Sequence, residues 1–261
     1  MKPKKFLLLF AFACLFSINL QAEKIRILMF AYPPFFSETM IADLGNGYWR
    51  DIVEEGFKEA GLETEVVFKP LMRARGEFLA GKHPILLGSK LPPTETQDSL
   101  LIGYYQVFFN YFKSHHPNGI HFKTLTDLKP YRIGVIRGTP VASGLQKADL
   151  VLDDTSSNDS LAKKLYAKRI DIWPSTFLSA RYMINKYNPE AVIDFTRNDT
   201  PFFTGTIELV YMKNDERTKE IVNQFSNGLE KMKKNGSYMR HIKKYWGKEE
   251  VPKGILLEDM R

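Results

Sequence analysis

Cysteine is almost missing from this chain: the only one is Cys14. It falls inside an apolar leader, so the rest of the chain has neither disulfides nor a thiol nucleophile. Low-complexity tracts are missing too. Past the leader there is no apolar run long enough to span a bilayer. Metal-ligand spacing is missing: His115-His116 with His121 fits no ligand pattern, and adjacent histidines on a strand point to opposite faces. No Ser-His-Asp set stands in a motif context. Asp153-Asp154 and Asp171 are acids that acid/base chemistry would need, but Asp171 reads as a strand-end or cap residue. These absences argue against an enzyme, and no cofactor or metal is expected.

What is present starts with that leader. Lys2, Lys4 and Lys5 precede the apolar run Phe6 to Leu15, and Leu20-Gln21-Ala22 ends in a small residue. This is the layout of a secretory signal peptide over residues 1–22. Phe12 is bulky for lipidation at Cys14, so simple cleavage after Ala22 is expected, with delivery to the periplasm. Removing three lysines from 37 basic residues leaves 34 against 30 acids, a net charge of +4. A mildly basic balance suits solubility and attraction for anions. It does not indicate nucleic acid.

The remaining chain alternates strands and helices. Lys24 to Phe30 reads as a buried strand and Tyr48 to Ala60 as an amphipathic helix. Thr64 to Phe68, the helix Leu71 to Leu79 and Ile85 to Gly88 follow. This rhythm predicts a parallel sheet covered by helices. After an aromatic strand, Ile102 to Lys113, the rhythm restarts. Strands are expected at Arg132 to Ile136, Leu150 to Leu152, Ile170 to Trp173 and Val192 to Phe195, with helices between them. Thr206 to Met212 is the last strand, and two helices close the chain. Two α/β units in series imply two lobes: 23–112, then 113–210, with 211–261 returning to the first. The two long strands are the natural crossings, and they would act as a hinge beside a ligand cleft.

Several segments, in order, resemble the periplasmic solute-binding proteins of family 3, the class that includes amino-acid receptors of ABC importers. They are Tyr32-Pro33-Pro34-Phe35, Gly47-Tyr48-Trp49-Arg50-Asp51-Ile52, Pro70-Leu71-Met72-Arg73 with Gly81-Lys82, and Arg132-Ile133-Gly134-Val135 with Gly138-Thr139. Arg169-Ile170-Asp171-Ile172-Trp173 and Gly236-Ser237-Tyr238 before Tyr245-Trp246-Gly247 complete the set. The resemblance implies a type II periplasmic-binding-protein fold, two α/β lobes on a two-strand hinge. It implies that Tyr32 or Phe35 covers the ligand. It implies further contacts in Gly88-Ser89-Lys90 and at Gly138-Thr139-Pro140. Two departures stand out. Gln97 stands where that family carries a carboxylate-clamping arginine, and Trp173-Pro174-Ser175-Thr176 lacks the acid that receives an ammonium. Glutamine cannot replace a bidentate guanidinium, so a standard α-amino acid is not expected.

The remaining candidates are read from their chemistry. Gly138-Thr139-Pro140 offers free N–H groups to an anion, or is a plain strand-to-helix turn with Thr139 as N-cap and Pro140 at N1. Arg137 would reinforce an anion site there. Arg73 contacts solute or forms a surface ion pair. Arg75 lies on nearly the opposite side of the helix, so only one of the two faces the cleft. Trp173 is a candidate stacking wall, and Ser89, Gln97, Thr139, Ser175 and Thr176 are candidate polar contacts. The other aromatics between Tyr104 and Phe112 read as hinge and core packing. The expected protein is a monomeric receptor that closes on a small polar solute and hands it to a membrane permease or reports it to a sensor kinase. The rivals are a dehydratase-like periplasmic enzyme on the same fold, and an accessory protein without a ligand.

Overall fold

A computed structural model describes residues 24–42, 44–89, 91 and 96–246. The leader expected over residues 1–22 lies outside the described residues, as does Lys90. The first unit comprises β1 (Ile25–Met29), α1 (Tyr48–Glu59), β2 (Thr64–Phe68), α2 (Leu71–Leu79) and β3 (Ile85–Ser89). β1 pairs in parallel with both β2 and β3. The apolar residues of β1 and β3 are buried on both faces, as a helix-covered parallel sheet requires, while the edge strand β2 is only partly buried.

β4 (Gln97–Phe112) is 16 residues long, about 54 Å at the usual strand rise. That is enough to run through two lobes. β9 (Phe203–Met212) returns antiparallel against it from Val107 to Gln97. Beyond the crossing, β4 pairs with β7 (Trp173–Ser175) and β8 (Phe195–Arg197). The second unit adds β5 (Ile133–Ile136) and β6 (Leu152–Thr155), paired in parallel. A parallel bridge between Ile133 and Ile172 joins them to the β7 side. Its helices are α3 (Pro140–Gln146), α4 (Asn158–Tyr166) and α5 (Phe177–Tyr187).

The cores divide along the crossing strands. Ile102 of β4 and Ile207 and Leu209 of β9 pack with β1, β3 and α1. Val107 and Phe109 pack instead with Leu128, Ile133 and Leu145, and Phe112 with Leu161, Trp173 and Phe195. Tyr105 touches the first two of these clusters. The chain crosses from lobe to lobe between Ile102 and Val107, and crosses back between Phe203 and Ile207.

α6 (Glu216–Asn235) and α7 (Ser237–Trp246) close the first lobe. α6 lies on α1 at a very close approach. A Cβ on Gly228 would stand 2.1 Å from the Gly56 carbonyl oxygen, and one on Gly56 2.6 Å from the Phe225 ring.

Several elements differ from the sequence expectation; β6 runs over Leu152–Thr155 rather than Leu150 to Leu152, and β9 begins at Phe203 rather than Thr206. β4 begins at Gln97 rather than Ile102, because a β-bulge at Leu101/Gly103 carries the ladder past the polar Asp98-Ser99 pair. The bulge places Gly103 under the Trp49 ring, where a Cβ would be 1.9 Å away. Residues Pro189–Ile193 form a 3-10 helix and the strand follows as Phe195–Arg197, since Pro189 suits the first turn of a helix. β7 is centred on Pro174, which cannot donate to a ladder. The buried Asn110 side chain substitutes: its Nδ2 donates to the Trp173 carbonyl at 2.9 Å and the Ser175 carbonyl at 3.0 Å.

Candidate functional site

A cavity of about 600 Å³ opens between the lobes, in the range of small-molecule sites. Tyr105, Val107 and Ile207 of the crossing strands form its floor. The first lobe contributes Phe30, the Tyr32 to Thr39 loop, Phe68-Lys69-Pro70, Arg75 and Ser89. The second contributes Thr139-Pro140-Val141, Ser156-Ser157-Asn158, Trp173, Ser175 and Tyr182.

Polar contacts close the cleft on two sides. The Tyr32 hydroxyl lies 3.0 Å from Ser175 Oγ and 3.1 Å from Thr176 Oγ1, and accepts the Thr176 N–H at 3.2 Å. Ser179 Oγ donates to the Pro33 carbonyl at 2.6 Å. On the other side, Arg75 Nη1 donates to the Gly138 carbonyl. Each contact joins one lobe to the other, so the described conformation is closed.

The site's electrostatics are lopsided. Arg75 is half-buried and pairs with no carboxylate among the described residues. Burial lowers its guanidinium pKa, and the nearby Tyr105 phenol opposes that shift. Burial pushes the Tyr105 phenol up to about 12, although the Ser89 hydroxyl 3.1 Å away pulls the other way. Among the described residues, two carboxylates line the cavity. Asp159 is bound by Tyr187 and by Lys186 at 3.3 Å, and Glu38 is exposed at the rim.

No family model matches the sequence, and no curated protein matches it. Solved structures do match. One is a histidine kinase sensor domain with similarity to periplasmic binding proteins: 17% identity, TM-score 0.70, covering 88% of this chain and 98% of that one. A second is the arginine-, lysine-, histidine-binding protein ArtJ from Geobacillus stearothermophilus, 17% identical at TM-score 0.70, with 87% and 97% covered. A third is the GluR0 ligand-binding core from Nostoc punctiforme in complex with L-glutamate, 14% identical at TM-score 0.67, with 85% and 99% covered. The chain has the two-lobed fold of the periplasmic binding proteins.

Within this binding-protein fold, Tyr32, Phe35, Ser89, Thr139, Trp173 and Ser175 line the interlobe cavity. Thr139 also caps α3, accepting from the Ala142 N–H at 3.1 Å, with Pro140 following at N1. Trp173 is 1% exposed, and most of its ring belongs to the second lobe's core. Thr176 lies behind the wall, holding Tyr32 and capping α5.

Other candidates stand elsewhere. Arg73 is exposed, and Arg75 takes the cleft-facing side of α2. Gln97 is absorbed into the β4–β9 ladder opposite Met212. It lies eight residues before Tyr105, about 27 Å along the strand. Its identity therefore carries no information about the solute. Arg137 faces outward and forms a two-pronged ion pair with Asp154 at 2.8 Å on each arm. Gly138 sits in the left-handed region at φ 77°, as expected of a tight turn. Met72 and Arg75 of the other lobe approach its backbone.

Three cleft-lining residues, Tyr105, Ser156 and Ser157, and one interlobe contact, Ser179, were not expected from sequence. Tyr105 looked like core because it sits in an aromatic run, but it marks the crossing, where it packs against both cores and also lines the cavity. Ser156-Ser157 carried no signal beyond a helix start, and Ser157 caps α4. Ser179 lies on α5, and nothing in the sequence pairs it with the Tyr-Pro-Pro loop.

Proposed function

We propose that this chain is a hinged receptor, exported to the periplasm, that closes over a small polar solute and releases it unchanged. The closed form would then be presented to a membrane permease or to a sensor kinase. The observation that carries this reading is the set of direct interlobe hydrogen bonds from Tyr32, Ser179 and Arg75 around a cavity of about 600 Å³. Bonds between separately packed lobes form only on closure, and solute bound between them favours the closed state. Binding without turnover fits the cavity's carboxylates: Asp159 is held by Tyr187 and Lys186, and Glu38 stands at the exposed rim.

The test is native mass spectrometry of protein isolated gently from periplasm, followed by a thermal-shift screen. A solute that binds only the folded form must raise the melting temperature. We expect a retained small molecule that raises the melting temperature of stripped protein and is recovered intact. A solute recovered chemically altered would favour an enzyme.

A further inference from the structure

We propose that Arg75 anchors the solute's anionic end, and that the solute is a small carboxylic acid with a flat apolar body. This rests on the receptor reading above. Arg75 projects from α2 into the cavity, half-buried, with no carboxylate partner among the described residues. One of its five N–H donors is used by the Gly138 carbonyl. A guanidinium withdrawn from water without a counterion is costly, and an entering carboxylate offsets that cost with strong paired hydrogen bonds. Lys69 lines the same wall and forms no ion pair among the described residues. Burial of Arg75 also lowers its pKa, which an anion would reverse.

A cationic end is poorly served. The ammonium of an amino acid needs a carboxylate inside the site. Asp159 is already engaged by Lys186 and Tyr187, and Glu38 lies at the rim. The rest of the solute would meet aromatic rings from both lobes: Phe30, Tyr32, Phe68 and Tyr105 on one side and the floor, Tyr182 opposite. Such walls favour planar apolar bodies. The Ser89 and Tyr105 hydroxyls, 3.1 Å apart, share one hydrogen bond and leave one O–H to donate near the guanidinium.

The experiment compares acids with their neutral isosteres. Stripped protein is titrated calorimetrically with benzoate, phenylacetate and indole-3-acetate, with the matching amides, and with phenylalanine. We expect at least one acid to bind at least tenfold more tightly than its amide and than phenylalanine. Arg75→Gln is expected to bring the acid-to-amide ratio close to one, Arg75→Lys to restore part of it, and Arg73→Gln to leave it unchanged. If Arg75 serves only as a latch to Gly138, Arg75→Gln weakens acid and amide equally, and the anchor assignment fails. Binding of amide or phenylalanine at least as tight as the acids overturns the solute class, and so does failure of all three acids to bind. Such failures leave the receptor reading standing if a co-purified solute of other chemistry still raises the melting temperature.

Discussion

At the level of single residues, the cleft is defined by where burial and charge fail to match. Tyr105 shows this at the floor. Its phenol is pushed up to about 12, chiefly by burial. The unfolded chain titrates that group near 10, so the folded state holds the proton more tightly. The associated stability is intact below pH 10 and is lost as pH rises from 10 through about 12. Tyr105→Phe should remove one late-titrating phenol from the alkaline absorbance titration and flatten the fall in stability over that window. Loss of a phenol titrating near 10 rather than near 12 would contradict the buried placement. Arg75 and Arg73 show why sequence alone could not fix the anchor. Ala74 and Phe78 form the buried stripe of α2, and the two arginines flank it on opposite sides, Arg75 at about 80° and Arg73 at about 120° from its centre. Only docking of the second lobe decides which flank becomes the cleft. By contrast, Trp173 and Ser175 were legible because the sequence places them at the end of an expected strand, although the strand observed runs from Trp173 to Ser175.

At the level of elements, most helices and strands follow from periodicity and punctuation. α2 and α5 run over the predicted residues, Leu71–Leu79 and Phe177–Tyr187. Two of the misread segments, the bulged start of β4 and β7 with Pro174 inside it, are places where tertiary pairing overrides local pattern. The α1–α6 contact makes a sharp prediction. Gly228→Ala sets a methyl against the α1 backbone, so it should destabilise the protein by about 2–3 kcal/mol, measured by denaturant unfolding. Gly76 of α2 is exposed and has open space where a Cβ would sit. Gly76→Ala should therefore stabilise by up to about 1 kcal/mol. A neutral Gly228→Ala would mean that the two helices do not cross this closely.

At the level of the whole molecule, two cores share two strands, and the polar latches lie at the edges of the gap. The two-lobed organisation was readable from the repeated α/β rhythm and the two long strands. The latch partners were not, because Tyr32 and Ser175 are 143 residues apart in sequence and no local pattern links them. Each latch bond contributes about 1 kcal/mol net. Tyr32→Phe with Ser179→Ala should therefore shift the population toward the open form without unfolding either lobe. The most direct test is small-angle scattering on solute-stripped protein, before and after returning the solute that co-purifies with it. The account predicts a smaller radius of gyration with solute, with the double variant remaining expanded at the same solute concentration. An identical radius in all three samples would contradict hinged closure.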